Sequence, residues 1–124
     1  MSGTVPHEIK SELDSAALEI CRWFTSNDNC KVRFSCQIGT GTSVGDEATI
    51  SANDLKISQS GDVQIRLING VIGSPSGIEI PTKNNSYKSR ITSHKVSVKQ
   101  LTWTEEFPEP RMYGGVRRFN FVLL

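Results

Sequence analysis

The stretch IKSELDSAALEICRWFTSNDNCKVRFSCQI, residues 9–38, contains a change of hydrophobic period that decides the fold class. Over residues 9–24 the apolar residues recur at helical spacing, as on one face of an amphipathic helix. Over residues 31–38 apolar and polar residues alternate, which is the pattern of a half-buried strand. The stretch therefore predicts a helix followed by β-structure.

The ends of the helix are marked by residue types that suit helix termini. Pro6 fits a first helical turn, and the acidic Glu8 and Glu12 complement the positive end of the helix dipole. The polar cluster at residues 25–29 favours a turn over continued helix. We therefore predict one helix over about residues 6–25.

Alternation recurs in short runs through the rest of the chain. Asn53–Asp54 predicts a bend within one strand, and Asn69–Gly70 predicts a tight hairpin, since a type I′ turn needs two residues with positive φ. The apolar positions change parity near Lys99–Gln100, which predicts a β-bulge there. The last strand, residues 116–124, is too apolar to be free, and we expect it to pair in the sheet or across a subunit interface.

These patterns predict a single α+β domain over residues 1–124, because no internal stretch has the composition of a linker. An N-terminal amphipathic helix is expected to pack on a mainly antiparallel β-sandwich or partly open β-barrel that spans about residues 31–124. The residues expected to form much of the core are Trp23, Phe24, Phe34, Ile65, Leu67, Trp103, Phe119 and Phe121.

Composition narrows the class of protein. The hydrophobic fraction of 36% and the charged fraction of 22% exclude disorder as the main state. No run approaches the roughly 18 apolar residues of a spanning helix. The N-terminus lacks a basic region followed by an apolar run, so we expect no secretory signal, no membrane partner and a cytoplasmic location.

The cysteines and glycines do not predict a cofactor or metal site. Cys21, Cys30 and Cys36 are odd in number and lack the short spacing of a structural zinc site, so we expect free thiols, no metal and no cofactor. The glycine-rich residues 39–45 resemble a phosphate-binding loop. However, residues 46–52 have the pattern of a strand rather than a helix, and the loop lacks the lysine, so a connecting loop is expected.

A catalytic site is not predicted either. The candidate acids, bases and nucleophiles are His94, Cys30, Asp54 and Glu105. His94 lies among polar residues of what reads as a solvated strand, while Cys30 and Asp54 lie at turns. We therefore expect a protein that is not an enzyme, although side chains from distant strands could still converge.

Charge is distributed unevenly along the chain. Residues 1–62 hold five Lys or Arg against nine Asp or Glu, and residues 63–124 hold nine against four. Such asymmetry can steer an anionic partner to one face, or attract copies of the molecule to each other.

The leading functional hypothesis is a non-enzymatic binding or assembly module that acts through protein–protein contacts as a homo-oligomer. Residues 105–115 form the longest irregular segment, and they contain aromatic, Met and Arg residues of the types enriched in interface cores. The candidate partner-binding residues are Phe107, Arg111, Met112 and Tyr113. The alternative is that these side chains hold the segment onto the domain.

The second functional hypothesis is a protein that binds nucleic acid or a smaller anionic ligand such as a nucleotide. Residues 81–104 hold five cations and no acidic residue, with Tyr87, His94 and Trp103 interspersed. Cations that contact phosphates beside rings that stack on bases are typical of single-strand binding surfaces. The candidate anion-binding residues are Lys88, Arg90, Lys95, Lys99, Arg117 and Arg118. The alternative is a solvated face on which lysine discourages aggregation.

Overall fold

The computed structural model describes residues 5–68, 77–109 and 113–124, without the side chain of Tyr113. The two helices are α1 (His7–Lys10) and α2 (Ser15–Ser26). The strands are β1 (Lys31–Ile38), β2 (Val44–Ile57), β3 (Asp62–Ile68), β4 (Gly77–Pro81), β5 (Arg90–Val96), β6 (Gln100–Glu106) and β7 (Val116–Leu123), and a single turn of 3₁₀ helix, Tyr113–Gly115, precedes β7.

The seven strands form one open, antiparallel sheet in the order β4-β3-β2-β1-β7-β6-β5. The fold is therefore a mostly antiparallel sheet with two short helices. The sheet is not a closed barrel, and the described strands include no second sheet, so the expected sandwich is not confirmed. The predicted pairing of the last strand is confirmed, since β7 lies between β1 and β6.

Helix α2 packs against one face of the sheet, where a sandwich would have its second sheet. It contacts β2 and also β4 and β5, which are the two opposite edges of the sheet. The sheet must therefore curl around the helix, and we call the helix side of the sheet its inner face and the other side its outer face. All eight residues expected in the core are buried. Their rings pack closely, and Phe121 stacks on Trp103 with centroids 5.7 Å apart.

The single predicted helix is wrong, because the chain leaves helical geometry between Lys10 and Ser15. The carboxylate of Asp14 accepts a hydrogen bond from the Ala17 N–H at 2.8 Å and so begins a new helix. Aspartate favours this capping position over a helix interior. The apolar spacing continues through the break, since Ile9 and Leu13 are both buried.

β2 is one strand through the predicted bend and has a register irregularity there, whereas the predicted bulge is not where the parity change placed it. The register of β2 against β3 shifts between Ser51 and Lys56. Residues 97–99 form the hairpin turn between β5 and β6, and that turn accounts for the parity change at Lys99–Gln100. The irregularity in β5 lies instead between Ile91 and Ser93. The predicted hairpin at Asn69–Gly70 lies outside the described residues.

Residues 82–89 connect β4 to β5 and so run from one edge of the sheet to the other. The Lys83 N–H donates to the Glu12 carbonyl at 2.8 Å, and the Ser86 N–H donates to the Ser60 carbonyl at 2.6 Å. The buried Asn85 side chain accepts from the Ser89 N–H at 3.0 Å. These bonds anchor the connection and fix where β5 begins.

Neither helix of the described chain has the length and apolar character that a membrane crossing requires.

Candidate functional site: the β5 edge and the outer face of β5 to β7

The segment expected to bind a partner is partly used for packing. Phe107 is buried, and its N–H donates to the Gly115 carbonyl at 2.9 Å. The guanidinium carbon of Arg117 lies 5.5 Å from the centroid of the Phe107 ring. Phe107 therefore holds its segment onto the domain. The side chains of Arg111, Met112 and Tyr113 lie outside what the structure describes.

Strand order decides which of the six candidate cations share a face. Thr104 of β6 lies between Arg118 of β7 and Ser93 of β5 in the register, and Thr102 lies opposite Lys95. Successive residues of a strand point to opposite faces, so all five of these residues are on the outer face. Lys95 on β5 and Arg118 on β7 are therefore separated by one strand, β6, whose hydroxyl side chains lie between them.

Of the other four cations, Arg90 also lies on this face, at the start of β5 and opposite Glu106. Lys88 lies in the preceding turn with a φ of 54°, and Lys99 lies in the turn at the far end of β5. Arg117 points to the inner face.

Arg117 forms a buried ion pair. Its Nε and Nη2 atoms lie 3.1 and 2.6 Å from Oε1 of Glu105. The two side chains are only 12% and 1% exposed, respectively. Both nitrogens donate to the same carboxylate oxygen, and hydrogen bonds between ionised groups are stronger than neutral ones. The pair is part of the protein interior.

The aromatic residues interspersed with the cations do not lie beside Lys95 and Arg118. Trp103 is buried in the core, and Nε2 of His94 lies 2.6 Å from Oε2 of Glu19 on α2, on the inner face. Tyr87 is partly exposed in the connection before β5. The outer face of β5, β6 and β7, which are described in full, therefore carries no ring on which a base could stack.

The outward edge of β5 presents main-chain groups. Residues of an antiparallel strand alternate between those that bond the neighbouring strand and those whose N–H and C=O point away from it. The Ser97 N–H donates to the Gln100 carbonyl at 2.8 Å, which places Ser97, and Lys95 two residues before it, in the bonded class. The N–H and C=O groups of His94 and Val96 therefore point away from β6. No strand of the described chain pairs with their side of β5.

Two contacts hold this edge against α2. One is the contact between His94 and Glu19. The other is a hydrogen bond that Nε1 of Trp23 donates to the Ser97 carbonyl at 2.9 Å. A binding edge that is fixed in advance loses less entropy on association. Sequence reasoning missed the edge, since the order of strands is not visible in the alternation of any one of them.

The four candidate catalytic residues lie in different surroundings. His94 contacts Glu19, and Glu105 pairs with Arg117. Asp54 lies 3.5 Å from the ammonium of Lys56, and Cys30 is in the turn before β1. The described residues include no group of three or more metal-ligating side chains.

The glycine-rich segment lies between two strands. Residues 39–43 connect β1 to β2, so this segment leads into a strand. The three cysteines are free thiols, and burial raises the pKa of Cys21 to about 12. A thiol of this kind is a poor nucleophile, because the thiolate is the reactive form.

Comparison of the chain with protein-family models, with curated proteins and with solved structures finds no match.

Proposed function

We propose that the protein is a non-enzymatic binding module that takes an extended segment of a partner protein as an additional strand on the edge of β5. The observation that carries this proposal is the outward N–H and C=O of His94 and Val96, on an edge that no described strand covers. Strand addition gains affinity from such main-chain hydrogen bonds. The contact surface therefore differs from residues 105–115 and from the last strand, on which the sequence hypothesis relied.

A second copy of the chain fits this edge poorly. Two copies of β5 paired with each other would bring Arg90 and Lys95 of one molecule towards the same cations of the other. Like charges on neighbouring strands are destabilising, and lysine on an edge strand is a known protection against self-pairing. We therefore propose a different protein as the partner, and leave self-association as an outcome that the experiment can reveal.

A neutral peptide of about eight residues that alternates Val and Ser is expected to bind β5 and to slow hydrogen exchange at the amides of His94 and Val96. Val96→Pro removes one outward N–H and is expected to weaken binding by about tenfold. Val96→Ala keeps the N–H and serves as the matched control. Exchange measured by NMR reports both effects residue by residue.

Protection of β4 instead of β5, or equal binding by Val96→Pro and Val96→Ala, would overturn the proposal. Light scattering on the free protein supplies a further check. A dimer mass that Val96→Pro converts to a monomer mass would identify a second copy as the occupant and would contradict the choice of a different partner.

A second candidate function is the binding of a polyanion, such as single-stranded nucleic acid, by the outer face. The observation that favours it is the arrangement of Lys95 and Arg118 on one face, with Ser93, Thr102 and Thr104 as hydrogen-bonding neighbours and no carboxylate among these five residues. Because the described strands carry no aromatic ring on this face, contacts to phosphates rather than to bases would dominate.

Two phosphate contacts on a single strand predict that affinity falls about sevenfold between roughly 50 and 200 mM salt. The variant Lys95→Glu/Arg118→Glu is expected to lose at least about tenfold in affinity for a labelled oligonucleotide. The matched control, Lys10→Glu/Arg22→Glu, makes the same change in net charge at exposed helix positions. Fluorescence anisotropy measures both. Equal losses in the two variants would contradict a site on the outer face.

A further inference from the structure

The two sides of β5 differ in chemistry, and the difference specifies the partner strand. On the outer face, β5 presents the cations Arg90 and Lys95. On the inner face it presents His94, already in contact with Glu19, and Val96, which is 43% exposed. Val98, in the turn that follows, is 85% exposed. A strand laid along β5 would thus meet cations on one side and, on the other, the exposed Val96 beside the His94–Glu19 contact.

We infer that the partner segment is an amphipathic strand, with acidic residues at alternate positions facing Arg90 and Lys95 and apolar residues at the positions between them. This inference rests on the proposed function, since it names the partner of the same edge. Side chains directly across or diagonal in neighbouring strands interact, and opposite charges there are favourable.

The chain segment that contains β5 carries one sign of charge over a long stretch. Residues 80–104 contain five Lys or Arg and no Asp or Glu. Lys88 and Lys99 extend the basic character beyond both ends of β5. An acidic segment would therefore be attracted before it docks, which raises the association rate at low salt.

The inner side of the edge disfavours acidic residues. Glu19 lies there, with its carboxylate against His94 and its side chain 56% exposed. An acidic residue placed on this side would face Glu19, whereas an apolar residue would cover Val96. The inner face thus determines which alternate positions of the partner strand are apolar. Charge alone is insufficient for recognition.

Four peptides of about eight residues test the inference: alternating Glu and Val, alternating Ser and Val, alternating Lys and Val, and a peptide with four Glu followed by four Val. We expect the alternating acidic peptide to bind about tenfold more tightly than the neutral one, and the basic peptide to bind most weakly. The block peptide should bind at least about tenfold more weakly than its alternating isomer, because it cannot place acids and valines on opposite sides.

Variants of the protein complete the test. The double substitution Arg90→Glu/Lys95→Glu is expected to reverse the preference from the acidic to the basic peptide, while Lys10→Glu/Lys31→Glu, at exposed positions of α1 and β1, should leave it unchanged. Fluorescence anisotropy gives the affinities, and amide exchange at His94 and Val96 gives the location.

The outcomes separate this inference from the proposed function. Equal affinity for acidic and neutral peptides, with protection at His94 and Val96, would overturn the inference and leave strand addition standing. Absence of protection with every peptide would overturn both. Tight binding of the block peptide would also overturn the inference, since attraction by net charge would then suffice.

Discussion

Replacing Arg117 with methionine is expected to lower the free energy of unfolding by about 3–5 kcal/mol, because it leaves the buried carboxylate of Glu105 without its counter-charge. The Glu105 side chain is 1% exposed, so water cannot replace the guanidinium. Methionine fills much of the volume of the arginine stem, which limits the loss of packing against Phe107 and Phe119. Urea unfolding followed by tryptophan fluorescence measures the change.

The exposed pair Arg33–Glu47 provides a matched control. Its atoms are 2.9 Å apart, but its side chains are 67% and 55% exposed. Arg33→Met should therefore cost less than about 1 kcal/mol. The double variant Arg117→Met/Glu105→Gln should recover part of the loss, since no buried charge remains. A double variant no more stable than Arg117→Met would show that the loss comes from packing instead.

The inward position of Arg117 could have been predicted from the alternation in β7. Arg117 has the same parity as Phe119 and Phe121, which are buried, whereas Arg118 has the opposite parity. Glu105 likewise shares the parity of Leu101 and Trp103 in β6. Grouping Arg117 with Arg118 as neighbouring cations ignores this signal. The contact between the two buried charges could not be predicted, since it depends on the pairing of β6 with β7.

The core could be predicted because alternation is a local property of each strand. The break between the helices could not, since apolar spacing continues through it and only the bond from Ala17 to Asp14 shows the new start. The bulge in β5 was also misplaced. A hairpin turn and a bulge both change the parity of apolar positions, and the sequence does not distinguish them.

The candidate site depended still more on long-range information. The run of cations was visible in the sequence, but the exposure of the β5 edge follows from its terminal place in the strand order. The contact between His94 and Glu19 joins residues 75 positions apart. No local pattern predicts such a contact, although both residues were correctly placed on a strand and a helix.

A second buried carboxylate, Asp62 at the start of β3, has chemistry that the sequence analysis did not single out. It is buried, and it accepts a hydrogen bond from the Ser60 hydroxyl at 3.0 Å. The pKa of Asp62 is raised from 3.8 to about 6, chiefly by burial. The Ser60 hydrogen bond and the charge of Arg117 oppose this rise, while the charges of Glu79 and Glu105 contribute to it.

A raised pKa means that the folded protein favours the protonated form. Between about pH 4 and pH 6, the native state holds a proton on Asp62 that the unfolded chain has released. The contribution of this group to stability is therefore present at about pH 4, is lost as the pH rises towards 6, and stays lost above it. The full shift corresponds to at most about 3 kcal/mol, and water reaching the carboxylate would reduce it.

Asp62→Asn is expected to stabilise the protein by about 1–3 kcal/mol at pH 7 and by almost nothing near pH 4, since asparagine cannot ionise. Asparagine can still accept the hydrogen bond from Ser60. Urea unfolding of both proteins at several pH values gives the difference directly, and other groups that titrate cancel in it. The exposed Asp54, near Lys56, offers a control, because Asp54→Asn should change stability by less than about 1 kcal/mol. The prediction is that the ionised Asp62 carboxylate destabilises the folded protein. A stabilisation by Asp62→Asn that is equal at pH 4 and pH 7, or that shrinks as the pH rises, would contradict it.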